Sequence, residues 1–247
     1  MSNIRNNDVE KTRRQFMTGA VATAGMTIAP GFMLYTAQAR PKGTAADPKT
    51  RWGLLIDISK CDDCTICVDA CKKENGWQGH RGDLTDAQWI RKVDLKDKNT
   101  GAKSSLPVMC MHCEHPPCVD VCPVGASMKR DDGIVLVDKH ICIGCRYCMM
   151  ACPYGARSFV HEAVTDQKPH MPRGQGTVES CTMCAHRVDN DQLPACVEAC
   201  NASSRQAMMF GDLNDPNSDI SKRIAEISTV KLRADLGLDP HVQYVNF

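Results

Sequence analysis

The chain has 247 residues, a formal net charge of +1 and 5% aromatic residues, against sixteen cysteines. That length fits one large or two small domains, and so few aromatics leave a side-chain core thin, so the interior calls for an inorganic filling. The balanced charge supplies no basic field for a polyphosphate, which sets nucleic acid aside as a partner.

The N-terminal segment runs Thr12-Arg13-Arg14-Gln15-Phe16-Met17, then stays uncharged to Ala37-Gln38-Ala39 before Arg40. A twin arginine, an apolar stretch and a small-x-small site predict an export signal of the kind used by proteins that cross the membrane already folded, with removal near Ala39. An uncleaved anchor is the competing reading, weakened by Pro30, Gly31 and many Ala, Gly and Thr residues. The expected location is periplasmic. Residues 40–50 read as a linker.

Trp52-Gly-Leu-Leu-Ile-Asp57 has the apolar run of a strand, and Cys61 stands four residues after Asp57. Ile134-Val-Leu-Val-Asp138 repeats the pattern with Cys142. Shifting Cys61, Cys64, Cys67 and Cys71 by 81 positions lands on Cys142, Cys145, Cys148 and Cys152. A second repeat interleaves with this one: Cys110, Cys113, Cys118 and Cys122 correspond to Cys181, Cys184, Cys196 and Cys200, with a longer loop in the later copy. The order A, B, A′, B′ is that of a duplicated two-cluster unit. Between the second and third groups, residues 126–129 and 134–137 flank a polar turn ending in Gly133 and predict a hairpin. The stretches 72–109 and 153–180 read as polar insertions facing a partner. A helix near 218–228 is expected, with Asn217 or Ser218 as N-cap and Ile220, Ile224 and Ile227 on its buried face.

Three chemistries compete for the cysteines. Zinc explains a C-x2-C pair, and disulfides fit an exported protein, but cysteines three apart on a tight turn bridge poorly. C-x2-C-x2-C-x3-C-P at 142–153 places three thiolates on one loop and sends a fourth to a second cluster, the bacterial ferredoxin rule. Sixteen cysteines in four complete groups therefore predict four [4Fe–4S] clusters. The repeats favour Cys110, Cys113, Cys118 with Cys152, and Cys142, Cys145, Cys148 with Cys122. The outer groups then close as Cys61, Cys64, Cys67 with Cys200, and Cys181, Cys184, Cys196 with Cys71. Pairing the first group with the second and the third with the fourth is left open by spacing alone. His112, His115 and His186 lie near cysteines, and with every quartet complete they read as hydrogen-bond donors or surface residues. Asp62 and Asp63 in the first loop, against Arg146 in the third, predict a lower potential for the Cys61 cluster. Full ligation, with no catalytic dyad or nucleotide fingerprint, points to electron transfer. The alternatives are a redox enzyme acting directly on a small sulfur or nitrogen compound and a zinc-stabilised structural module.

Residues 110–123, 132–138 and 142–154 resemble the four-cluster electron-transfer subunits of respiratory membrane complexes, a family that includes the iron–sulfur subunits of polysulfide, tetrathionate and nitrite reductases. Within it the likeness is greatest to the DsrO branch, the periplasmic subunits of the sulfite-reduction-associated Dsr complex. The likeness runs from Trp52 to about Ile227. It implies an α+β fold of duplicated ferredoxin-like modules, a double 2[4Fe–4S] arrangement with loop insertions and a C-terminal helical tail. The implied division is 51–109 and 161–212 for the first module, 110–160 for the contiguous second, and 213–247 for the tail. It also implies the pairing of group one with four and two with three. The implied partners are a multi-spanning, quinone-interacting membrane subunit and a multihaem cytochrome c, with the chain peripheral to the membrane through those partners. Lys72 and Asn201 stand where the other two groups carry Pro123 and Pro153, a departure that touches loop shape only.

Overall fold

An apolar run that can be buried on both faces sits at the middle of a sheet, and Leu54, Leu55 and Ile56 of β1 (Trp52–Asp57) are all buried. The computed structural model describes residues 46–246 apart from 62, 79–81, 83, 84 and 166; the export signal, most of the linker and Asp62 lie outside the described residues. β1 pairs antiparallel with β8 (Met208–Asp212) and parallel with β9 (Val242–Val245), so that Leu54 faces Phe210 on one side and Val242 on the other. Three two-stranded sheets complete the strands: β2 (Ile90–Lys96) with β3 (Lys103–Met109), β4 (Ser127–Lys129) with β5 (Val135–Val137), and β6 (Arg157–Phe159) with β7 (Val178–Ser180).

Both predicted strand-to-cysteine units are present, and one physical device serves both. After β1, the Asp57 carboxylate accepts the backbone N–H of Ser59 at 3.1 Å, turning the chain through a short 3-10 segment into Cys61. After β5, Asp138 accepts the N–H of His140 at 2.8 Å and turns the chain into Cys142. An aspartate bonding its own backbone two residues on is a strong turn former, which explains why the repeat preserves that residue.

The helices are short and carry thiols. α1 (Ile66–Asn75) holds Cys67 and Cys71 and ends at Gly76, whose φ of 69° is the left-handed cap that glycine tolerates. α2 (Pro117–Asp120) holds Cys118, α3 (Tyr147–Met150) holds Cys148, α4 (Ala185–Val188) follows Cys184, and α5 (Ala195–Ala202) holds Cys196 and Cys200. α1 packs along α5, and α2 against α3. α6 (Asp219–Glu226) is the predicted C-terminal helix; its Ser218 cap accepts from the Ser221 N–H at 3.2 Å, and Ile220 packs on Leu55 and Val245.

Two expectations need correction. The stretch 72–109 is not simply a polar insertion, because β2 and β3 form a seven-pair hairpin whose Ile90, Leu106 and Met109 are buried with Trp77 and Trp89. The stretch beyond 213 is not only a helical tail, because β9 completes the main sheet and the Tyr244 hydroxyl donates to the Pro107 carbonyl at 2.8 Å. Among the described residues no helix is long and apolar enough to cross a membrane.

Candidate iron–sulfur centres

All sixteen thiols are unbridged. Eleven are buried, Cys64, Cys122, Cys142 and Cys152 are half-buried, and Cys145 is exposed. The structure brings them together as follows. Cys67 interacts electrostatically with Cys61, Cys64 and Cys200, and Cys181 with Cys71, Cys184 and Cys196. Cys110 and Cys113 each interact with Cys118 and Cys152, and Cys148 with Cys142 and Cys122. Two of these groups enclose visible space. A cavity of about 320 Å³, including its open mouth, is lined by Cys110, Cys113, Cys118 and Cys152. Another, of about 300 Å³, is lined by Cys122, Cys142, Cys145 and Cys148.

Electrostatic influence between the groups gives their order as neighbours. Cys148 interacts with Cys122 and lies beside Cys118 of the next group. Cys110 of that group is felt by Cys181, and Cys67 is felt by both Cys196 and Cys71. The sequence of neighbours is thus the Cys145 group, the Cys110 group, the Cys181 group and the Cys61 group.

The donor set fits cubane clusters better than single ions. A tetrahedral zinc would draw its four sulfurs to roughly 3.8 Å of one another. Among the described residues, however, the only three potential ligand atoms gathered within 4.8 Å belong to Glu74, His170 and His186. Burial pushes the thiols of Cys67, Cys71, Cys110 and Cys113 up to about 12. Thiolates at such positions need a cationic core beside them. N–H donors already point at the sulfurs: Trp77 Nε1 to Cys71 at 3.2 Å, and the amides of Ser127, Ala156 and Ala207 to Cys122, Cys152 and Cys200 at 3.3–3.4 Å. At Cys122, burial is outweighed by backbone donors from Ser127 and its neighbours, so its thiol is lowered.

Arg157 is the functional residue that sequence reasoning missed. It is 5% exposed, its Nη2 donates to Cys118 Sγ at 3.0 Å and to Ser127 Oγ at 2.8 Å, and it lines the Cys110 cavity. Its Nε and Nη1 are buried without a protein partner. Buried orphan donors are rare, and here they suit the sulfide acceptors of a cluster. A lone arginine in a stretch read as an insertion carried no sequence signal.

The three histidines singled out in the sequence lie in different surroundings. His112 is fully buried, burial lowers it to about 3, and its neutral Nδ1 accepts from the Val135 amide at 3.0 Å. His115 is exposed. His186 stacks on His170 with ring centroids 4.2 Å apart and bonds Glu74 Oε1 at 2.8 Å, while Arg187 meets the other carboxylate oxygen at 3.2 Å. That carboxylate already has a cation. The charge ordering expected from Asp63 and Arg146 is also modified. Lys92 lies beside Cys61 and Cys67, and Arg146 sits 3.8 Å above the Phe159 ring.

Comparison with known proteins identifies the family. A 4Fe-4S dicluster domain model matches residues 102–213, and a second 4Fe-4S dicluster model matches 60–126. The Hdr-like menaquinol oxidoreductase iron-sulfur subunit 1 of Archaeoglobus fulgidus is 42% identical over 94% of this chain and 97% of its own length. A tetrathionate reductase subunit of Salmonella typhimurium is 36% identical over 96% of this chain and 89% of its own. Protein NrfC of Escherichia coli is 35% identical over 96% of each.

Proposed function

Because this chain belongs to the family of 4Fe-4S dicluster iron–sulfur subunits of oxidoreductase complexes, and carries four [4Fe–4S] clusters for electron transfer, we propose that it is an exported wire between two redox partners. One partner is a quinone-interacting membrane subunit. The other is a cytochrome c or a reductase, with the Dsr-type complex and its multihaem cytochrome as the proposed branch. The proposed ligand sets are Cys61, Cys64, Cys67 and Cys200; Cys71, Cys181, Cys184 and Cys196; Cys110, Cys113, Cys118 and Cys152; and Cys122, Cys142, Cys145 and Cys148.

The serial order of the four thiol groups carries this reading. When bound, each cluster accepts or releases one electron. The chain's residues hold the clusters close, keep most of them dry, and aim N–H donors at their sulfurs. Complete quartets leave no thiol to spare for substrate. Export by the twin-arginine route to the periplasm is supported by Arg13 and Arg14 ahead of the uncharged run to Ala39. Association with a membrane would then come from the partner.

Anaerobic purification from native membranes tests the proposal. About sixteen irons per chain, four separable paramagnetic signals on stepwise reduction and a co-purifying multi-spanning subunit are expected. Turnover of a small sulfur or nitrogen compound by the isolated chain would replace the wire with an enzyme.

A further inference from the structure

Imidazole nitrogens and carboxylate oxygens that converge from distant parts of a chain are the makings of a site for a divalent transition metal. Outside the cysteine groups, one such convergence exists among the described residues: a ligand atom from each of Glu74, His170 and His186 lies within 4.8 Å of the other two. Glu74 belongs to α1, three residues after Cys71, and His186 to α4, two after Cys184. His170 comes from the connection between β6 and β7. No turn or local repeat accounts for their meeting.

We propose that Glu74, His170 and His186 form a binding site for one divalent ion of the zinc class, with a fourth position left to water. Zinc bonds of about 2.0–2.2 Å at tetrahedral angles set neighbouring donor atoms about 3.3 Å apart. Glu74 Oε1 lies 2.8 Å from His186 Nε2 and 3.9 Å from His170 Nε2, on either side of that value. The two rings stack at 29° with centroids 4.2 Å apart, and rings sharing one ion must open wider than that. His170 is exposed, with room to turn and to exchange its 2.9 Å contact with the Glu74 carbonyl for the ion. Arg187 does not fill the site. It meets the opposite oxygen, Oε2, at 3.2 Å and also pairs with Glu198. Two carboxylates against one guanidinium leave a negative charge for the ion to neutralise. The clamp on Oε2 also aims Oε1 at the histidines, as a hydrogen-bonded partner behind a ligating carboxylate does. Imidazole with carboxylate suits zinc, copper or nickel rather than magnesium or calcium. Three protein ligands leave the ion open to solvent, unlike a closed four-ligand structural zinc. Bound there, the ion ties α1, α4 and the β6–β7 connection together beside the Cys181 group.

The test uses the full, cluster-loaded chain, purified anaerobically, freed of loose metal by gel filtration and dialysed against micromolar zinc chloride. One zinc per chain is expected alongside about sixteen irons. X-ray absorption at the zinc edge should show only nitrogen and oxygen neighbours, at about 2.0–2.2 Å. Outer-shell changes alone cost about 10–100-fold in metal affinity, so His170→Gln and Glu74→Gln should each weaken zinc binding by at least about tenfold with iron unchanged. His170→Gln is the decisive variant, because that side chain is exposed and far in sequence from any cysteine. His115→Gln, at an exposed histidine elsewhere, should bind zinc as wild type does. No zinc retained by wild type, or equal retention by His170→Gln, would overturn the proposal. So would an equal loss in His115→Gln, which would mark an adventitious ion only. Sulfur neighbours at the zinc edge would overturn it as well, because the zinc would then stand in a cysteine quartet in place of iron.

Discussion

The guanidinium of Arg157 donates to the sulfur of Cys118 across 3.0 Å, inside a wall where no carboxylate pairs with it among the described residues. Burial disfavours its charge, but Cys118, Cys110 and Cys148 hold it protonated. It is therefore a fixed positive charge between two neighbouring thiol groups.

A positive charge favours the reduced, more negative cluster. At about 6 Å and an effective dielectric near 20 this is worth ~3 kcal/mol, or roughly 100 mV for one electron. Arg157→Gln should lower two of the four midpoint potentials by roughly that amount and leave two in place, as read by redox titration with electron paramagnetic resonance. Arg157→Lys keeps the charge and should restore most of the shift. Equal effects of Lys and Gln would show that packing, not charge, is responsible.

Gly144 sits inside the third cysteine loop at a φ of +69°, and a Cβ there would lie 2.1 Å from the Gly176 carbonyl oxygen. Backbone cannot swing aside as a side chain can. Gly144→Ala should expel the cluster held by that loop, so that iron falls from about sixteen to about twelve per chain. Full iron content with unchanged spectra would count against this account of the turn.

Arg173 and Glu179 form a buried bidentate pair, with both N–H···O distances 2.8 Å and the glutamate fully enclosed. The guanidinium also donates to the Gly76 carbonyl at 2.8 Å, tying the cap of α1 to the β6–β7 hairpin. Arg173→Ala leaves a buried charge without its partner and should cost about 3–5 kcal/mol. Arg173→Ala with Glu179→Leu should recover much of that in anaerobic denaturant titrations. A single variant within about 0.5 kcal/mol of wild type would refute the assignment.

His241 is fully buried: Arg51 Nε donates to its Nε2 at 2.7 Å, and its Nδ1 meets the Trp52 carbonyl at 3.1 Å. Burial, followed by the Arg51 charge, lowers it to about 4 despite the nearby Glu114 carboxylate. Below about pH 6.5 the unfolded chain takes up a proton that the folded chain refuses, so stability falls with falling pH until about pH 4. Between pH 6.5 and 5 the loss should be about 2 kcal/mol. Denaturation midpoints at pH 7.5, 6.5 and 5 should show this slope in wild type and a shallower one in His241→Gln. Parallel slopes would point to other titrating groups.

The legible parts of the sequence were those where spacing repeats or one residue type has one physical use. Cysteine spacing set out the four thiol groups, the equal distance from Asp57 to Cys61 and from Asp138 to Cys142 exposed the repeat, and Asn217 or Ser218 announced a helix start. The β2–β3 hairpin was not legible. Its strand Ile90-Arg-Lys-Val-Asp-Leu-Lys96 is anchored at one end only, and Pro107 interrupts its partner. β9 escaped notice because what makes it a strand is a partner far away in sequence. Arg157 escaped because its meaning depends on which thiols surround it.

The placement of β1 between β8 and β9 bears on how the molecule assembles. Leu54 and Val242 pair in parallel across about 190 residues of chain, the kind of remote contact that folding reaches slowly. Cys61 follows directly on that strand, so its surroundings are finished only when this late closure occurs. The loop carrying Cys142 hangs instead from the local β4–β5 hairpin, which can form early. Maturation should therefore run from the Cys145 end of the series toward the Cys61 end. A chain caught midway would be loaded at one extremity and open at the other.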